Sequence, residues 1–236
     1  MPEEQSIILS PTAIYWIVFI GIAVASWIVS AALKRKFEKY SKEPLRMTGR
    51  EVAEKMLHDH GIYDVKVVST PGMLTDHYNP ATKTVNLSEG VFNNATVAAA
   101  AVAAHECGHA VQHQEAYAPL KMRSALVPVV SFAGTWVTWI LIIGMLTIEV
   151  FPQLMLIGIG LFATTTLFTF ITLPVEINAS QRAVNWLQEA GITDNHTTEM
   201  ASDALRSAAY TYVVAALSSL ASLVYYILIF LGGRRK

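Results

Sequence analysis

Four long apolar runs interrupt a chain of otherwise mixed polarity. Residues 11–33 (PTAIYWIVFIGIAVASWIVSAAL), 125–148 (ALVPVVSFAGTWVTWILIIGMLTI), 154–174 (LMLIGIGLFATTTLFTFITLP) and 211–231 (TYVVAALSSLASLVYYILIFL) contain no lysine or arginine and at most one acidic residue. Each reaches the roughly 20 apolar residues that a helix needs to cross a bilayer, so the pattern predicts four transmembrane helices. The stretch between the first two runs reads differently. TGREVAEKMLHDHG repeats its apolar residues at helical spacing (Val52, Met56, Leu57), with Thr48 as cap and Gly61 as stop. DVKVVST (64–70), LTDHYNP (74–80) and KTVNLS (83–88) alternate or are set off by turns, and predict a small sheet of two or three strands. An alanine-rich helical run follows, over about 95–114.

Composition agrees with the four spans. With 53% hydrophobic and 15% charged residues and a mean hydropathy of +0.40, the chain is too apolar for an ordinary soluble domain. The net charge of -1 conceals an asymmetry. Fourteen of the 17 Lys and Arg lie either between the first and second runs or between the third and fourth, segments separated by an even number of crossings. The positive-inside tendency places that side in the cytoplasm and the N-terminus outside. The basic tail GGRRK then falls outside, against the tendency, and is read as a short tail that the membrane tolerates. MPEEQS, which carries no Lys or Arg, favours a retained anchor over a cleaved signal peptide. The basic residues do not form the stripe that nucleic acid would require, so no nucleic-acid partner is expected. The single cysteine, Cys107, excludes an intrachain disulfide.

One motif carries chemistry. In VAAHECGHAVQ (102–112), His105 and His109 stand one helical turn apart on nearly the same face, with Glu106 beside them. Two imidazoles at this spacing can hold one zinc ion, and the adjacent glutamate can act as general base toward an activated water. Gly108 would let another element, sheet or substrate, approach the helix closely. Cys107 points about 200° away from His105 and reads as packing. A third ligand has to come from elsewhere. Gln112 and Glu115 stand where a longer three-histidine motif would place Gly and His, which excludes that variant. His113 lies about 12 Å along the axis from His105, too far for one tetrahedron. Glu149 falls at the opposite membrane surface. Glu176, at the cytoplasmic end of the third run, is the best-placed acid, with Glu189, Glu199 and Asp203 in reserve.

DHYNPATKTVNLSE (76–89), VAAHECGHAVQ (102–112), LPVEINASQRAV (173–184) and TYVVAALSSLASL (211–223) together resemble the bacterial membrane-bound neutral zinc metallopeptidases of the YugP-like family, over nearly the whole chain. The resemblance implies zinc held by His105, His109 and Glu176, with Glu106 as general base. Gluzincin membrane proteases of the HtpX type, which also use a glutamate as third ligand, point the same way. The chain departs at Asn178, where the family tends to carry Asp. An amide can still orient a ligand by hydrogen bonding but does not raise its basicity, so a lower metal affinity is expected.

The expected fold is a mostly α membrane protein with about four transmembrane helices and a small α+β zincin-like domain at the membrane surface. Residues 11–33 form the anchor, 34–124 the catalytic segment, 125–174 a transmembrane hairpin, 175–210 a helical segment with the third ligand, and 211–231 the last span. The expected activity is hydrolysis of peptide bonds in peptides or proteins, membrane proteins among them, at the cytoplasmic surface. Substrate would add to the strand edge of 74–88. Asp76, His77 and Tyr78 are placed near the cleft, with His77 as a candidate oxyanion donor or, alternatively, part of a turn-stabilising cluster. Tyr212 and Arg182 are further candidates for that role. Intramembrane cleavage fits less well, because the HECGH helix is only modestly apolar. The non-enzymatic alternative is a zinc-binding membrane scaffold or sensor. The small-residue stretches GIGLF and ALSSLASL suit close helix packing without fixing an oligomeric state.

Overall fold

The computed structural model describes the backbone of residues 11–233 and the side chains of residues 16–232. The MPEEQS segment and the RRK end of the tail, on which two of the readings above rest, lie outside the described residues. Among the described residues seven helices and three strands follow one another: α1 Pro11–Tyr40, α2 Gly49–Asp59, β1 Lys66–Thr70, β2 His77–Asn79, β3 Thr84–Ser88, α3 Glu89–Phe92, α4 Val97–Gln114, α5 Ala118–Leu146, α6 Pro152–Glu189 and α7 Asn195–Gly233. The protein is a mostly α membrane protein with a small α+β unit. Helices α1, α5, α6 and α7 are long and apolar enough to cross a membrane.

Local signals set the boundaries. Thr48 caps α2 through a reciprocal pair. Its hydroxyl accepts from the Glu51 N–H, and the Glu51 carboxylate accepts from the Thr48 N–H. Gly61, at φ +69°, turns the chain out of the helix. In the sheet β3 is central, parallel to β1 and antiparallel to β2, with Tyr78 opposite Val85. Both β1 and β2 are therefore edges.

Helix α4 occupies the centre of the α+β unit. Ala98, Ala99, Ala100, Ala101, Ala103 and Ala104 are all buried, and the helix is apolar around its first turns because it is covered on every side. Small side chains let α2 (Val52, Met56), α6 (Ala183, Leu187) and α7 (Ala201, Leu205) close on it together. Gly108 is the tightest point. A Cβ there would stand 2.8 Å from the Ala179 carbonyl oxygen, so the glycine admits the α6 backbone, not the sheet or a substrate.

The membrane part has its own small core of Val137, Leu141, Met155 and Ile159 in the α5–α6 hairpin. Gly144 meets the Met155 backbone and Gly158 meets Leu141, so the GIGLF stretch serves packing within the chain. Helix α6 passes without a break from this core through Pro174 to Leu187 in the α4 core. The third apolar run and the acid-bearing segment after it are thus one rigid element.

Candidate functional site

On α4 the imidazoles of His105 and His109 lie with ring centroids 4.8 Å apart. On α6 the buried Glu176 turns one oxygen to both. Its Oε2 is 3.3 Å from His105 Nε2 and 3.6 Å from His109 Nε2, and the three groups offer ligand atoms all within 4.8 Å of one another. Among the described residues this is the one group of three or more His, Cys, Asp or Glu able to share an ion. Ligands on a tetrahedral zinc at about 2.0–2.1 Å stand roughly 3.3 Å from each other, close to the two separations seen.

The surroundings fix which nitrogen His109 presents. The Gln112 amide N–H groups donate to the Val175 carbonyl and to Asn178 Oδ1, both at 2.9 Å, so its Oε1 must be the atom facing His109 Nδ1 at 3.0 Å. That oxygen can only accept; His109 therefore carries its proton on Nδ1 and leaves Nε2 with a lone pair. Ser180 Oγ lies 3.1 Å from His105 Nδ1 and can accept in the same way. The second oxygen of Glu176, Oε1, is 3.4 Å from the Arg123 guanidinium on α5. Burial pushes the His109 imidazolium down, but the Glu176 hydrogen bond and the Glu106 charge outweigh it, and its pKa is raised. A pocket that favours positive charge at this point suits a cation, and the His–His–Glu donor set suits zinc.

Glu106, 9% exposed, sits in the same cavity and accepts the Tyr78 N–H at 3.0 Å. This contact ties the edge strand β2 to the helix. The cavity measures about 630 Å³, and His77, Tyr78, Lys121, Arg123 and Tyr212 share its lining with Glu106 and the His–His–Glu group.

Other expected residues take varied places. His77 lines the cavity, with its Nδ1 donating to the Thr75 carbonyl at 2.8 Å. Asp76 also reaches the lining but is bound up in accepting the Ser88 N–H and hydroxyl. Tyr78 sends its hydroxyl to His113, which stands apart from the ligand group. Tyr212 lines the cavity, whereas Arg182 does not: it bridges Glu115 and Asn178. Cys107 donates toward the Ala53 carbonyl on α2, away from both histidines. Burial, then the Glu106 charge, pushes its thiol well up. Asp203 is held by Lys36 and Tyr40 at the α1–α7 contact, and Glu189 and Glu199 are outside the group. Glu149 follows the far end of α5.

Sequence reasoning passed over Arg123 and Ser180 and used Gln112 only to exclude a motif. Gln112 follows His109 by three residues and Ser180 follows Glu176 by four, helical spacings that mark a shared face. Arg123 carries no such signal, because only the α5–α6 packing brings it to Glu176.

A family model described as "Putative neutral zinc metallopeptidase" matches residues 15–231 of this chain. The "Putative membrane protease YugP" of Bacillus subtilis (strain 168) is 42% identical over 223 residues, covering 92% of this chain and 97% of that protein. No solved structure matches. With a site whose donors suit zinc, four membrane-length helices and a family match across nearly its whole length, the chain belongs to the family described as "Putative neutral zinc metallopeptidase".

Proposed function

We propose that the protein is a membrane-integrated zinc metalloendopeptidase whose active site faces the cytoplasm at the membrane surface. The observation that carries this reading is the convergence of His105, His109 and Glu176 Oε2 beside Glu106 in one open cavity. His105 and His109 present Nε2, and Glu176 presents Oε2. Bound there, zinc supplies the Lewis acidity that acidifies a water and polarises the scissile carbonyl. Glu106 takes the proton from the attacking water and passes it to the departing amine. The Tyr78 N–H holds Glu106 Oε2, so the exchange falls to Oε1.

The substrate main chain lies along the β2 edge, next to α4. For the oxyanion, Tyr212 offers a hydroxyl donor from the cavity wall. His77 can donate there only as imidazolium, because its Nδ1 proton is committed to Thr75 and a neutral ring then presents an acceptor at Nε2. Tyr212→Phe is expected to lower kcat by about a hundredfold with zinc content unchanged. His77→Ala should lower turnover less than Tyr212→Phe does, and turnover equal to wild type would remove His77 from the chemistry.

The cytoplasmic placement rests on the distribution of Lys and Arg. The scaffold reading is weaker, because Glu106 adjoins the donor group within an open cavity. Stripping the detergent-solubilised protein with a chelator should abolish cleavage of unfolded casein, and zinc should restore it. Cleavage that survives verified metal removal would refute the proposal.

A further inference from the structure

The cavity continues past the His–His–Glu group into the membrane part. Val127 of α5 and Phe168 of α6 line it together with Glu106 and Glu176. Val127 lies within the apolar run 125–148 and Phe168 within 154–174, whereas Arg123 and Glu176 stand just outside those runs. Phe168 precedes Glu176 by eight residues on one helix, about 12 Å toward the bilayer. Val127 follows Arg123 by four and lies one turn deeper on the same face of α5. Helices α5 and α7 both pack along α6 and scarcely touch each other. Val127 is 46% exposed.

The chemistry of the wall favours a polypeptide over an acyl chain. Pro128 has no N–H, so the Ser124 carbonyl, one turn earlier on α5, has no helical donor, and Ser124 lines the cavity. A main-chain acceptor freed on a lining residue, in the same cavity as the apolar floor and the general base, matches an extended peptide that carries an apolar side chain. In lipid, backbone groups left open in this way occur where they line a cavity.

Building on the proposed protease activity, we propose that the floor formed by Val127 and Phe168 is a substrate subsite. It takes an apolar side chain from a polypeptide where that chain leaves the bilayer. The substrate class is accordingly membrane-anchored protein, cut just outside its transmembrane segment.

The test uses the Glu106→Gln variant in liposomes with a synthetic membrane-spanning peptide carrying photo-leucine a few residues outside its span. Cross-links are expected on Val127 and Phe168, at least tenfold above those from a soluble peptide of the same exposed sequence. The wild type should cleave the spanning peptide in parallel. Replacing the leucine with serine should lower kcat/KM at least tenfold, and Phe168→Ala should collapse that Leu-to-Ser preference. Cross-links confined to His77 and Lys121, equal labelling by the soluble peptide, or a floor labelled only by a photoactivatable phospholipid would each overturn the subsite. If the floor is labelled as expected but the zinc-loaded wild type cleaves nothing, the subsite stands and the protease reading fails.

Discussion

Gln112 shows how much one buried amide decides. With no exposed surface and every polar atom engaged, it sets the tautomer of His109 and ties α4 to α6 through Val175 and Asn178. Gln112→Ala should lower zinc affinity about 10–100-fold, measured by competition with a chromophoric chelator; unchanged affinity would mean that the tautomer is set elsewhere. Arg123 acts on the other oxygen of Glu176. Arg123→Ala should weaken zinc binding and slow turnover, with Arg123→Lys recovering part of both, since a point charge replaces a planar fork. Full activity in Arg123→Ala would reduce the contact to packing. The histidine pair and Glu106 between them were legible in the sequence because one helical turn encodes their geometry. Arg123 was not, since its partner lies 53 positions away and the pairing depends on how α5 leans on α6. Asn178 acts at one remove from the His–His–Glu group, accepting from Gln112 and Arg182, so its amide bears on the support of His109 and not on the group itself.

Helices α4 and α6 make the site by their closeness. The Ala179 carbonyl over Gly108 sets the approach that brings Glu176 to the two histidines. Gly108→Ala gains helix propensity yet forces the backbones apart, so the expected outcome is a loss of about 1–3 kcal/mol and weaker zinc retention, read by thermal unfolding in detergent and by metal analysis. A variant as stable and as zinc-replete as wild type would show that the helices can shift at no cost. The alternation and turn signals of residues 64–88 gave the strands, but not their order. Placing β3 between β1 and β2 leaves β2 as the edge facing α4, and that depends on long-range pairing which periodicity does not encode. The apolar runs located the spans, while the continuity of α6 through Pro174 was hidden. A proline in a helix interior usually marks an end, yet here packing at both ends of α6 carries the helix through it.

At the scale of the whole molecule, four helices present one end to the α+β unit. Lys36 on α1 meets Asp203 on α7, and Arg123 on α5 meets Glu176 on α6. The side of the membrane on which this end lies can be read with a single introduced cysteine. Cys107 is fully buried and its thiol is held protonated, so the wild-type background should stay unlabelled by an impermeant maleimide. A cysteine at the exposed Lys83 should then be labelled in inside-out vesicles and not in intact cells; the reverse pattern would move the site to the outer face. The account as a whole turns on whether the HECGH helix holds a catalytic metal. The most direct measurement compares cleavage of unfolded casein by zinc-loaded wild type and by Glu106→Gln, with the zinc content of both determined. Cleavage by the wild type, lost in a variant that keeps one zinc per chain, is the predicted result. Equal cleavage by the two, or tight zinc in both with no cleavage of casein or of membrane-anchored peptides, would contradict it.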